Sequence, residues 1–462
     1  MEIPFFTWCI MDELEKAGYR AYIVGGAVRD MVLGKTPHDY DIATNATPEQ
    51  VRNILRGKTN IVDKNGERFG TVVAREGDEE YEITTFRKEA GYSDGRHPSQ
   101  VSFSDTIEED LSRRDFTVNA MAMSKDGEII DPFNGRKDLE TGTLRCVGDP
   151  NERFAEDSLR ILRAARFAAK YDFSIESKTF LGMLNNKNGI KKLSAERVRE
   201  ELTKMLLLDN PSSAFVVLPA VGALSTVLPE FYACFDQEQG SNRHCLDSSV
   251  AEHSLNVTSK LPKKSEIRWA GLLHDIGKIP CAVYKNGHVS FPDHSLKSTE
   301  MAEEILKRLK FSNKEAEEIL FLIKNHDLHL SKDWKIREFA GKNPKEWLKE
   351  LFLLKDADAR DHAPEFVEDF VRGNNALRDK INGFIEDGSA ITVKDLAING
   401  TDLMGIGVLG PTIKEFQKEA LRECLVNPEH NTKEWLLNFA GRFTGKNGNR
   451  PEDTLDDNEP EL

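Results

Sequence analysis

Two aspartates, Asp39 and Asp41, follow a glycine pair, Gly25-Gly26, within the segment AYIVGGAVRDMVLGKTPHDYDIAT. On a strand, side chains at i and i+2 share a face, so the two carboxylates would project together while Tyr40 points away. Paired carboxylates bind hard cations such as Mg²⁺. A two-ion arrangement suits phosphoryl transfer, in which the ions activate an attacking hydroxyl and neutralise a leaving pyrophosphate. Glycines at a helix start let the backbone approach a triphosphate and present N–H donors to it. Glu82, in the strand-like run YEITTFR, has Tyr81, Ile83 and Thr85 on its opposite face and is the natural third carboxylate. Taken singly, a glycine pair is ordinarily a turn, and DxD a solvated strand end or Asx turn. The order of these features within one strand-helix-strand unit points to chemistry.

A second pairing lies in AEDSLRILRAARF, where Asp157 and Arg160 are three residues apart and would share a helix face. Its ordinary reading is an exposed ion pair. A carboxylate only accepts hydrogen bonds, however, and a guanidinium only donates them. Cytosine and adenine each present an amino donor beside a ring-nitrogen acceptor, whereas uracil and guanine present the opposite order. Such a pair on the Watson–Crick edge would admit C and A and refuse U and G.

The ordered set GGAVRD, DYD, EITTFR and RRDFTVNAMA, covering about residues 20 to 200, resembles the class II tRNA nucleotidyltransferases and bacterial poly(A) polymerases. These share one head. The resemblance implies Asp39 and Asp41 as Mg²⁺ ligands, Glu82 as the third catalytic acid, and Gly25, Gly26 and Arg29 as triphosphate contacts. Arg113 and Arg114 would pair with phosphates through forked donors. Asp115 would hold the ribose hydroxyls, with Asn119 beside it. Glu156, Asp157 and Arg160 match the family's EDxxR motif, and Arg163 and Arg166 on the same basic run join the nucleotide-binding set. In ERVREEL, Arg197 and Glu200 are read as braces for this region. The segment EAGYSDGRHPSQVSFSDTIEEDL is read as a flexible loop that helps specificity change from C to A. The implied partners are tRNA, CTP and ATP, and the implied activity is template-independent CCA addition. Two alternatives share the head: a poly(A) polymerase, and an enzyme adding only A after a CC-adding partner. A non-catalytic tRNA-binding protein is a third. The acidic chain and its second half speak against the poly(A) reading, and the intact acids against the non-catalytic one.

That second half contains AEHSLNV, WAGLLHDIGKIP, FPDHS, KNHDLH and KDADARDH, with His253, His274, Asp275, His294, His326 and Asp358 in order. It resembles the HD phosphohydrolase domain. The resemblance implies a divalent metal on His253, His274, Asp275 and Asp358, and a phosphatase or 2′,3′-cyclic phosphodiesterase activity.

The elements that must position these residues change character along the chain. Up to about residue 147, short β-like runs (AYIVGG, TVVARE, YEITTF, EIIDPF) alternate with helical stretches; from Asn151 onward 3.6-residue apolar periodicity dominates. The expected fold is α+β: a polymerase-β-like head with a mixed sheet (1–147), then an all-helical neck (148–228), HD-type body (229–375) and tail (376–446). The acidic end, 447–462, is expected to be disordered. With 462 residues, several cores are affordable. Six cysteines without a CxxC pair argue against a disulfide framework and fit a reducing cytoplasm. The N-terminal segment has no basic stretch before its apolar residues and reads as an amphipathic helix, and no membrane-spanning run is present. The net charge of −15 leaves phosphate binding to local clusters such as RRD, RILRAARFAAK and KNGIKKLSAERVRE.

Overall fold

The computed structural model describes residues 3–62, 70–92, 98–239, 248–286 and 288–445. The acidic end therefore lies outside the described residues. In chain order the head consists of α1 (Phe5–Lys16), β1 (Ala21–Val24), α2 (Gly26–Val32), β2 (Asp41–Thr44), α3 (Pro48–Leu55), β3 (Asn60–Val62), β4 (Thr71–Glu76), β5 (Glu79–Thr85), β6 (Arg87–Tyr92), β7 (Pro98–Phe103), α4 (Ile107–Ser112), β8 (Ala122–Met123), β9 (Ile129–Ile130) and α5 (Gly135–Glu140). The helices that follow are α6 (Pro150–Glu156), α7 (Leu159–Tyr171), α8 (Ser177–Asn186) and α9 (Ala195–Leu206).

Seven strands form one sheet in the order β3-β4-β5-β2-β1-β8-β9. Every pairing is antiparallel except β2 with β5, so the sheet is mixed, as expected. Val24, Ala43, Phe86, Ile107, Leu111, Ala120, Ala122 and Val147 pack into a buried core against it. Burial of the valine, isoleucine, leucine and phenylalanine side chains among them contributes about 1.5–3 kcal/mol each. Helix α3 starts on a capping box in which Thr47 and Gln50 exchange side-chain to backbone bonds.

One expectation changes in the head. The segment read as a flexible loop contains the antiparallel hairpin β6–β7, with Arg87 opposite Phe103. Backbone pairing satisfies the N–H and C=O groups that a free loop would leave to water. Residues 93–97 lie outside the described set.

Past residue 147, the described strands are Ser174–Ile175, which pairs with Thr143–Leu144, and the hairpin of Val283–Lys285 with His288–Ser290; the rest of the described regular structure is helical. The chain divides into two compact units. The first comprises residues 1–238, 249–269 and 301–312, and the second residues 239–248, 270–300 and 313–462. The second unit has one core around Ile336, Leu348, Phe352 and Ile381, and another around Leu403, Phe416, Ala420 and Leu436. No described helix is long and apolar enough to cross a membrane.

Candidate functional site

In the first unit, the sheet brings two of the three predicted acids side by side. Strands β2 and β5 run parallel with Ile42 opposite Ile83, so Asp41 and Glu82, each one residue earlier, are neighbours. Asp39 precedes β2, which begins at Asp41, so strand alternation does not align the two aspartates. Pro37, two residues before Asp39, has no N–H to continue a ladder. Asp39 is nevertheless close enough to act on Asp41. Burial raises the Asp41 carboxyl above its ordinary value; the negative charges of Glu82 and Asp39 add to this, while Arg114 opposes it. Three acids around one point repel each other, and a hard cation relieves that repulsion, so the donor set fits Mg²⁺.

The glycine pair closes this site. Gly25 caps α2 with φ 71°, and a side-chain carbon built there would lie 2.6 Å from Arg114 Nη1. Arg114 and Arg113 are both held by Asp110, at 3.3 and 2.7 Å. Burial tends to raise the Asp110 carboxyl, but the two guanidiniums outweigh it and hold it low.

Behind the glycines runs a chain of buried partners. Arg29, 5% exposed, donates to Asn119 Oδ1 at 2.6 Å and to Asp30 at 2.9 Å, and its guanidinium lies 4.6 Å from the Tyr171 ring centre. Tyr171 also donates to Asp30 at 3.1 Å. Asn119 donates to Asp115 Oδ1, and Arg163 grips Asp115 Oδ2. Burial opposes ionisation of Asp115, but Arg163 and Asn119 prevail and bring it down to about 2. Arg166 donates to buried Glu201 at 2.6 Å and stacks on Phe167. Thus Asp115, Arg163 and Arg166, expected at the nucleotide, are engaged in internal ion pairs that fix α7 to the RRD turn and to α9. Asp30, part of GGAVRD, was given no role of its own, and Asp110, Tyr171 and Glu201 were missed. Only Asp110 had a sequence signal, three and four residues ahead of the arginines.

Asp157 and Arg160 do not lie on one helix. Helix α6 ends at Glu156, and Asp157 is extended at φ −142°, ψ 100°. Its carboxylate accepts from Leu159 N at 3.0 Å, capping α7, which is what aspartate does at helix starts. Arg197 of α9 donates to its other oxygen at 2.7 Å, so Arg197 braces as expected, while Glu200 is exposed and the buried acid is Glu201. Arg160, 8% exposed, donates to Glu156 at 2.7 Å, to Arg153 O at 2.9 Å and to Arg113 O at 3.0 Å.

In the second unit, Asp275, His294 and His326 converge. Asp275 Oδ1 lies 3.3 Å from His294 Nε2 and 3.7 Å from His326 Nε2, and Oδ2 lies 3.3 Å from His274 Nε2. Asp358 Oδ1 is 4.0 Å from His274 Nε2. Each of the three imidazoles turns Nδ1 to a backbone carbonyl, of Gly271, Phe291 and Ile323, at 2.7–3.0 Å. That contact fixes the Nδ1–H tautomer and aims the Nε2 lone pair inward, the usual preparation of a metal-binding histidine. Burial opposes charge on Asp275, yet His274 and Lys278 hold it well below the carboxylate range. These nitrogen and oxygen donors fit a divalent transition metal. His253, the remaining expected ligand, is buried on the helix Val250–Lys260 of the first unit.

Three family models match the chain: a poly A polymerase head domain over residues 21–145, a probable RNA and SrmB-binding site of polymerase A over 172–234, and an HD domain over 248–363. A CCA-adding enzyme of Lactobacillus helveticus is 45% identical over 222 residues, where the match spans 48% of this chain and about half, 54%, of that relative. A CCA-adding enzyme of Streptococcus suis is 34% identical across 93% of this chain and 94% of its own length. The crystal structure of the Bacillus stearothermophilus CCA-adding enzyme in complex with CTP superposes with a TM-score of 0.70 at 30% identity, covering 97% of this chain and 100% of that one. The chain belongs to the CCA-adding enzyme family.

Proposed function

We propose that this protein adds CCA to the 3′ end of tRNA from CTP and ATP without a template, releasing pyrophosphate. The observation that carries the reading is the meeting of Asp41, Glu82 and Asp39 under Arg114, beside the open backbone of Gly25. Bound Mg²⁺ on Asp39 and Asp41 would activate the RNA 3′ hydroxyl and neutralise charge on the phosphates. Gly25, Gly26 and Arg114 would orient the triphosphate, with Arg113 and Asn119 fixing the wall behind it, and buried Arg29 would reach it only by exchanging its bonds to Asn119 and Asp30. Asp115, Arg163 and Arg166 hold this wall in place and reach the nucleotide only by exchanging their internal partners. Asp157 would accept from the amino group of C or A and Arg160 would donate to the neighbouring ring nitrogen, which requires Arg160 to exchange its bond to Arg113 O. Arg197 keeps Asp157 oriented. Cysteines scattered along the sequence without a CxxC pair suit a reducing cytoplasm.

The test offers tRNAs ending before CCA, after C and after CC with each nucleoside triphosphate singly, and sequences the products. C, C and then a single A are expected. Repeated A addition would favour a poly(A) polymerase, and A addition restricted to tRNA ending in CC would favour division of the work with a partner. Asp41→Ala should abolish incorporation while tRNA binding persists.

A specific observation supports a second activity, the convergence of Asp275, His294 and His326. With a divalent metal on the HD set, this unit would hydrolyse a phosphate ester. The oxygen of water bonds to phosphorus, the ester P–O bond breaks, and the leaving alcohol takes the proton.

A further inference from the structure

Helix α9 serves the neck with one face and is gripped by the other. Arg197 and Glu201, four residues apart, share the first face, where Arg197 donates to Asp157 Oδ2 at 2.7 Å and Glu201 accepts from Arg166 at 2.6 Å. Glu196, Arg199 and Thr203 recur at intervals of three and four, on a face roughly 140° further round the helix. The residues gripping that second face come from sequence matched by the HD model, yet they pack inside the first unit. Arg199 donates to Lys310 O, and its guanidinium lies 5.2 Å from the centre of the Phe311 ring. Lys310 has φ 57°, with its own N–H on Lys307 O and the Phe311 N–H on Leu306 O, so a closed helix end presents the carbonyl to Arg199. Thr203 Oγ1 accepts from Trp269 Nε1 at 2.9 Å, and the fully buried Trp269 meets Phe311 edge to face at 5.3 Å. Past the last turn of α9, Arg268, 2% exposed, donates to Leu206 O and Leu208 O at 2.5 and 2.6 Å, filling carbonyls that a helix end leaves unpaired.

We infer that Arg199 and Thr203 are positioning residues for base choice: held by Lys310 O and Trp269, they fix the rotation of α9 and, through Arg197, the plane of the Asp157 carboxylate. The inference rests on the reading that Asp157 accepts from the amino group of C or A. Side-chain tips stand about 5–6 Å from a helix axis, so a turn of about 20° carries the Arg197 guanidinium roughly 2 Å, enough to break its 2.7 Å bond. The part of the HD match that packs in the first unit thereby serves nucleotidyl transfer by packing alone, with no hydrolytic chemistry.

The test measures kcat/KM in the full-length chain for CTP against UTP on tRNA ending before CCA, and for ATP against GTP on tRNA ending in CC. Arg199→Met with Thr203→Val should lower both ratios roughly threefold to tenfold, the worth of one or two lost hydrogen bonds. Arg199→Lys with Thr203→Ser keeps a donor and an acceptor in place and should restore most of each ratio. Trp269→Phe, which keeps an aromatic ring and removes the donor to Thr203, should act in the same direction with α9 itself unaltered. Added to Arg197→Met, the Arg199→Met and Thr203→Val pair should change the ratios no further, because the rotation acts through that arginine. Circular dichroism and urea midpoints check that each variant is folded. Unchanged ratios, equal slowing of all four nucleotides, or a further fall by the same factor in the Arg197→Met background overturns the inference. Ratios left intact by Asp157→Asn overturn the base-reading scheme on which it rests.

Discussion

Arg163 places both Nε and Nη2 on a single oxygen of Asp115, at 2.8 and 2.6 Å, while the other oxygen takes Asn119 Nδ2 and the Phe116 backbone N–H. The pair ties α7 to the turn that carries Arg113 and Arg114. Asp115 is 8% exposed, so Arg163→Ala would strand a buried negative charge. A loss of about 3 kcal/mol in urea-unfolding stability is expected. Arg163→Lys, which keeps the charge but loses the fork, should recover about half of it. A loss under about 0.5 kcal/mol in the alanine variant would mean that the pair is solvated in solution.

The same carboxylate sets a pH response. Its folded value, about 2, lies below the ordinary 3.8, so the stabilisation is fully present above the ordinary carboxylate range and is lost as pH falls toward 2. The difference corresponds to about 2 kcal/mol. Urea midpoints measured across that window should fall with acidification, and Asp115→Asn should be less stable near neutral pH but show a shallower acid slope. An identical slope in the two proteins would assign the acid sensitivity to other groups, among them Asp110, whose carboxyl is also held low.

Much of this architecture was legible because its signals are local. Glycines before a helix, apolar runs before glycines, and the change from alternating to 3.6-residue patterning all act within a few residues. They placed the strand bearing Glu82 and the change to helices after residue 147. Tertiary partnerships were less legible. Nothing near Arg29 announces that Tyr171 will stack on it, since the two residues are far apart in sequence. The break at Asp157 was missed for another reason. The apolar pattern runs through it, and only the competition of its side chain for the Leu159 N–H ends one helix and starts another.

Gly25 is a point where backbone and side chain are both constrained. With φ at 71° and Arg114 Nη1 only 2.6 Å from where a methyl would stand, Gly25→Ala must strain the turn and displace the guanidinium. The conformational cost is about 1–3 kcal/mol. The displaced arginine should lower kcat/KM for CTP and ATP together, by roughly a hundredfold at two charge-assisted bonds' worth of binding. Gly34→Ala, at φ 71° with open space around it, is the control. It should share the stability loss and keep the activity. Equal activity losses in both variants would assign the effect to backbone strain alone.

Arg197 and Asp157 offer the sharpest test of how bases are chosen. Arg197 contributes no group to nucleotidyl transfer in this scheme; it donates to Asp157 Oδ2 at 2.7 Å while Leu159 N–H holds Oδ1. Both bonds fix the plane of the carboxylate that would accept from the amino group of C or A. Arg197→Met keeps much of the side chain's length and apolar stem but removes that donor, so the carboxylate can rotate. A hydrogen bond to a charged group is worth about 1.5–3 kcal/mol, which sets the expected loss of discrimination against UTP and GTP at roughly tenfold to a hundredfold. The loss should appear as a lower ratio of kcat/KM between CTP and UTP and between ATP and GTP, with tRNA affinity unchanged. Asp157→Asn should act in the same direction but further, because an amide can offer a donor where the carboxylate only accepts and so can meet uracil. If Arg197→Met slows all four nucleotides equally, the arginine supports the neck without steering the base. If Asp157→Asn leaves the ratios intact, base choice lies with other residues.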